Sequence, residues 1–387
     1  MKTVNITDVC DIQVGKTPSR NNPLFWGKGA LWLSIADMNQ GLDLKTTKET
    51  ITEKAVNETK IKMVPENTVL FSFKLSIGKV GITRGPMYTN EAIAAFIIKD
   101  FSKLDTKFLY YVLKGTDHSI GSKRAVMGKT LNKEMLKQFD IPLPSLEEQK
   151  RIVRELDAAD ALRQKRKQAI ALLDDYLKAV FLEMFGDPVT NSKGWEIRSL
   201  GEMIDFMTSG SRGWARYYAD SGDVFLRIQN VERNHLKIDD LCFVTPPDTA
   251  ESKRTKVRQG DVLLSITADL GRTAVIPENF GNAYISQHLA LLRFKTHYLP
   301  EYISEFLASQ GGAVQMSKLN KGGTKAGLNF NDIKSIQIPI PDINTQQTYI
   351  AKKKYIQDVR QFMLSQDGEL ETNFNALMQK AFSNENI

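Results

Sequence analysis

Two long stretches of the chain carry a single narrow apolar seam in an otherwise polar surface. In the first, which opens SLEEQKRIVREL at Ser145, the seam runs through Val153, Leu156, Ala159, Arg163, Arg166, Ile170, Leu173, Leu177, Val180 and Met184. Steps alternating between three and four residues predict a helix with a helical partner along one side. No proline or glycine interrupts it before Gly186, and Ser145 followed by Glu148 makes a capping-box start. At about 1.5 Å per residue such a rod is roughly 60 Å long. The second stretch, from Asp342 to about Ser383, repeats the spacing at Ile350, Ile356, Met363, Leu370, Phe374, Leu377 and Ala381. Asp342 is its expected N-cap, and Gly368 predicts a weak or bent point. The seam of the expected coiled coil is therefore Leu156, Ile170, Leu173 and Leu177 against Ile356, Met363, Leu370 and Leu377.

Elsewhere the pattern is that of short strands and short helices. WLSI, TVLFSF, GKVGITR and AIAAFIIK are strand-like runs bounded by Gly, Pro and Asn, and KFLYYVLKG is a short amphipathic helix. These pieces occur twice in one order. VLFSFKLSIGKVGIT (Val69–Thr83) lies over VLLSITADLGRTAVI (Val262–Ile276), and WLSIADM over FLRIQNV. LNKEMLKQFDIPLPSLEEQ (Leu131–Gln149) lies over LNFNDIKSIQIPIPDINTQ (Leu328–Gln346). Chance explains one matched block but not the ordered set, so the chain is a duplicated module. The expected fold is α+β: two mixed α/β domains, 1–144 and 191–341, and two long helices, 145–190 and 342–387. The two helices most simply pack on each other, the alternative being that each packs only on its own globular part; paired as an antiparallel coiled coil, they would relate the halves by a pseudo-two-fold axis.

Composition narrows the picture modestly. The chain of 387 residues has a formal charge of +7 and a pI of about 9.1, compatible with a polyanionic partner. Two cysteines, Cys10 and Cys242, are too few for a disulfide framework, and the four histidines lack metal-ligand spacing. The start has no apolar leader and no run is long enough to span a bilayer, so a cytoplasmic protein without membrane contact is expected.

Motifs for catalysis fail on inspection. VMGKT (Val126–Thr130) would need a glycine at position 123 to be a phosphate-binding loop, and Lys123 stands there. NPLF (Asn22–Phe25) lacks the second proline of an amino-methyltransferase loop, and reads as a turn. Basic, turn-rich segments recur at matched places instead. GKTPSRNNP supplies Lys16, Thr17, Ser19 and Arg20, with Ser211 and Arg212 opposite them in the second copy. Lys74, Ser76 and Lys79 face Thr267, Asp269 and Arg272, and the basic loops Gly121–Thr130 and Lys318–Gly327 precede the repeated phrase. Between copies the skeleton is kept while polar residues change, as with Ser34 against Arg227 and Asp37 against Asn230. One scaffold reading two short sequences gives that pattern, and drift after duplication gives it too.

The order of parts resembles the specificity subunit of type I restriction–modification enzymes. The residues that carry the resemblance are Gly15–Ser19, the turn Phe25-Trp26-Gly27 and the Val-Leu-x-Ser strand. With them go the Leu-Asn phrase ending in Ile-Pro-x-Pro before a long helix, and the repetition of the whole set. The resemblance implies a non-catalytic subunit in which two target-recognition domains each bind half of a bipartite site in double-stranded DNA. The coiled coil would fix the spacing and dock two methyltransferase subunits and restriction/translocase subunits. S-adenosylmethionine, ATP and Mg would be bound by those partners, with no cofactor or metal on this chain. The implied DNA contacts are Lys16, Thr17, Ser19, Arg20, Lys74, Lys79, Ser211, Arg212, Arg227, Asn230, Thr267, Arg272 and Lys325. Arg154, Arg163 and Lys167 are the implied docking residues. The second phrase has Asn344-Thr345 where the first has Glu147-Glu148. The rival readings are a stand-alone DNA methyltransferase or nuclease, and a coiled-coil adaptor that does not bind DNA.

Overall fold

The computed structural model describes residues 2–74, 76–115, 131–320 and 327–382. The chain forms two compact units, one of Met1–Gln168 with Met363–Ile387 and the other of Ala169–Phe362. Compactness thus divides both rods between the units rather than separating rods from modules.

In the first unit a five-stranded sheet has the order Cys10–Val14, Ile93–Ile98, Val69–Ser72, Val80–Thr83, Asp43–Leu44. Only its last pair is parallel. Val69 and Phe71 pack in one core with the helix Thr106–Gly115, while Leu70 packs with Leu33 and Met38 on the other face. Both faces of the strand are covered, which is why it reads as an unbroken apolar run instead of an alternating one. A smaller sheet places Trp26–Leu33 between Glu49–Ile51 and Tyr88–Thr89. The second unit repeats the plan. Its main sheet runs Ile204–Ser209, Leu289–Phe294, Val262–Ser265, Thr273–Val275, and its smaller sheet centres on Asp223–Leu226.

The repeated phrase closes each module. Asn132 and Asn329 cap the short helices Lys133–Leu136 and Phe330–Ser335 through their side-chain oxygens. The Ile-Pro run that follows is a strand in both copies. Asp140–Pro142 pairs antiparallel with Thr3–Asn5, and Gln337–Ile340 with Glu196–Ser199. These are two-stranded edges, where a proline's missing donor is tolerated. The terminal glutamine of the phrase is buried. Gln149 donates to the carbonyls of Lys103 and Pro144 at 2.8 and 3.0 Å and accepts from the Asp105 amide. Gln346 donates to Pro341 at 2.7 Å. Each thereby fixes the first turn of a rod against the module it leaves.

The rods are the helices Leu146–Phe185 and Ile343–Phe382. Ser145 Oγ accepts from the Glu148 amide at 3.3 Å, Asp342 accepts from the Thr345 amide at 2.9 Å, and Gly186 ends the first rod at a φ of 79°. In the first unit Arg163 bonds Glu371, and Arg166 bonds Gln366. In the second Asp174 faces Arg360 at 3.3 Å, and Phe181 meets Tyr349 ring to ring at 5.6 Å. Numbers rise along one rod as they fall along the other, so the pairing in each unit is antiparallel. Leu156 and Ile356 are buried, and Ile170, Leu173, Leu177, Met363 and Leu370 are half-buried.

Two expectations are corrected, at Leu377 and at Arg163. Leu377, placed on the seam by spacing, is 38% exposed; Met378 is 6% exposed and packs in the module's core beside Gly115. After Phe374 a step of three or of four is equally regular, and the module's surface selects four. The second rod runs helical through Gly368 without interruption. Arg163, expected to face a partner, is 8% exposed, with its guanidinium 4.3 Å over the Phe374 ring and bonded to Asp160 and Glu371. Among the described residues no helix is long and apolar enough to cross a membrane.

Candidate nucleic-acid interface

Each unit builds one corner from the same backbone devices. The first is a glycine where the chain passes a strand end: a Cβ on Gly15 would lie 2.2 Å from the carbonyl oxygens of Thr89 and Asn90. On Gly210 it would lie 2.2 Å from that of Ile285. No other residue fits such an approach. The second is a capped turn after the central strand of the smaller sheet. Asp37 accepts from the amide and hydroxyl of Ser34 at 2.9 and 2.7 Å, and Asn230 Oδ1 accepts from the Arg227 amide at 3.0 Å. The third is the serine of Val-Leu-x-Ser. Ser72 Oγ accepts from the Lys79 amide and donates to the Ser76 carbonyl; Ser265 Oγ accepts from Arg272 and donates to Asp269. These residues hold the loops, and what projects from the loops differs.

In the first unit the projecting groups are mostly taken up by other residues of the unit. Lys16 reaches the Thr59 carbonyl at 2.8 Å, and Thr17 donates to Glu91. Arg20 pairs with Glu49 and stacks 3.9 Å over Trp26, which meets Trp32 edge to face at 4.9 Å. The hydrogen bond from Arg20 holds the Glu49 carboxyl below the usual range. Lys79 bonds Asn39 at 2.7 Å and the Ile35 carbonyl, tying its hairpin to the capped turn. Lys74 lies over Phe73, and Ser19 accepts from the Trp26 indole through its carbonyl.

In the second unit Ser211, Arg212 and Arg227 line one cleft of about 460 Å³ with Trp214, Tyr218, Phe225, Ser286, Gln287 and His288. Ser211 and the Trp214 indole both donate to Glu251. Burial pushes the Glu251 carboxyl up, but these bonds and nearby Arg254 outweigh it and leave it below the usual range. Thr267 joins through its 2.7 Å hydrogen bond with His288. Arg272 sits on the same hairpin, bonded to Asp269 at 2.6 Å.

The structure thus gathers most of the expected residues at the two corners, with two exceptions. Asn230 is 0% exposed; its side chain holds the turn through Arg227, Lys237 and Asp240, so it cannot touch a ligand. Lys325 lies outside the described residues, as does the whole of the basic loop Gly121–Thr130. NPLF is a turn capped by Asn22, whose Oδ1 accepts from the Leu24 amide at 3.1 Å. Gln287 and His288, absent from the expected set, also line the cleft. Their signal was available: the repeat sets Ser286-Gln287-His288 over Asn90-Glu91-Ala92, immediately before matching strands.

Residues 1–172 and 192–358 each match the type I restriction modification DNA specificity domain, so the chain belongs to that family. It is a specificity subunit of a type I restriction–modification system, the non-catalytic component of such complexes. The MjaIX specificity subunit of Methanocaldococcus jannaschii is 26% identical over 365 residues, 87% of this chain and 82% of the relative. The EcoR124I/EcoR124II specificity subunit of Escherichia coli is 31% identical over 156 residues, 38% of each chain. The fold is shared with the type I restriction-modification S subunit from M. genitalium, at a TM-score of 0.51 and 15% identity over 99% of this chain and 96% of that one. A solved chain from a study of complex assembly in the type I system gives a TM-score of 0.65 at 17% identity, covering 99% of this chain and 98% of its own.

Proposed function

We propose that this chain binds a bipartite, asymmetric site in double-stranded DNA, one half-site at each corner. The observation that carries this reading is the corner itself, built twice on the same glycine, capped turn and serine hairpin with different groups projecting. Lys16, Thr17, Ser19, Arg20, Lys74 and Lys79 are the contact set of one half; Ser211, Arg212, Arg227, Thr267 and Arg272 are that of the other. Arginine and lysine supply phosphate contacts and guanine readout, hydroxyls supply adaptable partners. The paired rods set the gap between half-sites and dock two methyltransferase subunits and the restriction/translocase subunits. Exposed Arg154 and Lys167 are docking candidates. S-adenosylmethionine, ATP and Mg belong to those partners.

The test is to map methylated adenines in a host that carries this chain with its methyltransferase subunits. A two-part asymmetric motif with a fixed gap is expected. Inserting seven residues in both rods adds about 10 Å, and should lengthen the gap by roughly three base pairs with both half-sites unchanged. A single contiguous motif, or half-sites that change with the insertion, would overturn the reading.

A further inference from the structure

The cleft of the second unit contains three buried polar atoms without a hydrogen-bond partner: Arg227 Nε, Ser286 Oγ and Gln287 Oε1. Ser286 is only 7% exposed. A buried acceptor or donor left unmade costs more than the bond is worth when made, so three in one cleft mark a site completed by a ligand. The first unit differs at the matching positions. There Glu91 is taken by Thr17, and Asn90 Oδ1 accepts from the Ala92 amide at 3.1 Å.

The network behind Gln287 defines what the ligand offers. Its amide nitrogen lies 3.0 Å from His288 Nε2. An amide nitrogen only donates, so with the amide in this orientation Nε2 accepts and Nδ1 faces Thr267 Oγ1 at 2.7 Å. The Thr267 hydroxyl, able to donate or accept, closes the chain, and Gln287 presents its carbonyl oxygen with the second amide hydrogen beside it. In the major groove adenine offers a donor, N6–H, next to an acceptor, N7, whereas guanine offers two acceptors. The orphaned Arg227 Nε and Ser286 hydroxyl suit an adjoining phosphate or base oxygen.

We propose that this cleft takes the major-groove edge of an adenine in the half-site bound by the second unit. Gln287 is the reading residue, and His288 and Thr267 are positioning residues that fix its amide. The proposal rests on the DNA-binding reading above and adds to it one base and the side chains that choose it.

The experiment uses the full chain with its methyltransferase subunits and repeats the methylation map with Gln287→Glu, Gln287→Ala and His288→Ala. Glutamate only accepts and pairs with the cytosine amino group, so Gln287→Glu should replace one adenine by cytosine in one half-site. The preference should shift by roughly tenfold or more, with the gap and the other half-site intact. Gln287→Ala and His288→Ala should relax that same position; a merely structural role would weaken binding to all sequences equally. If the wild-type chain gives no two-part motif, the broader reading fails. If it gives one that all three variants leave unchanged, or that they weaken evenly at every position, the adenine assignment alone is overturned.

Discussion

The two corners share their framework and differ in how far it is satisfied. In the first, Lys16, Thr17 and Arg20 each have a protein partner, and Arg20 is also stacked on tryptophan. In the second, the cleft leaves Arg227 Nε, Ser286 Oγ and Gln287 Oε1 without bonds, against Thr89 Oγ1 in the first. The rods show a parallel contrast. The first unit fastens its half with Arg163, Glu371 and Phe374, the second with Phe181, Phe185, Tyr302 and Tyr349. Duplication has preserved the residues that hold loops and freed those that project from them.

That contrast is open to direct attack, beginning with the aromatic cluster. Phe185 meets Phe181, Tyr302 and Tyr349 at 5.0, 4.9 and 5.0 Å. Phe185→Ala should cost the second unit about 3–5 kcal/mol. Hydrogen exchange should show that loss in Ala169–Phe362, with the first unit's core protected as before. Gly15→Ala and Gly210→Ala should each cost about 3 kcal/mol, because the new methyl meets backbone that cannot move aside. Each should blur one half-site and spare the other in the methylation map; equal damage to both would deny that the corners act separately.

Arg163→Ala should destabilise the first unit by roughly 2 kcal/mol, since it removes the cation over Phe374 and leaves Asp160 and Glu371 with only Lys114 and Lys167. Its partner gives a pH signature. The hydrogen bond from Arg163 holds the Glu371 carboxyl below its ordinary range. That stabilisation is complete above the unfolded glutamate value of about 4.3 and is lost as pH falls through the lower folded value. Melting temperatures of wild type and Glu371→Gln should therefore differ near neutrality and converge in acid. The smallest effect belongs to Ser72→Ala and Ser265→Ala. Each removes one hairpin staple and should cost about 1 kcal/mol, the same in both units to within a few tenths.

The rods were legible because a single spacing persists over many turns and their caps are local: Ser145, Gly186 and Asp342 all act as their types suggest. Leu377 misled because the seam there is chosen by the module's core and not by the partner helix. Arg163 could be assigned to the seam or to a docking face from spacing alone, and only Glu371 and Phe374 decide between them. Lys16, Thr17, Ser211 and Arg212 stood out through composition at repeated positions. Asn230 looked the same on paper, yet its chemistry is spent inside a turn, a bond invisible without the backbone of residues 237–240. Gln287 and His288 sit in an unremarkable ISQHL run, and what ties them together is Thr267, in the hairpin after the strand Val262–Ser265.

The pairing of Thr3–Asn5 with Asp140–Pro142, and of Glu196–Ser199 with Gln337–Ile340, places the start and finish of each module side by side. A segment whose two ends meet can be lifted out and replaced without stretching what remains. Each module is in this sense a cassette closed on itself by three or four paired residues per strand. A lineage could exchange one cassette and leave the rods as they are.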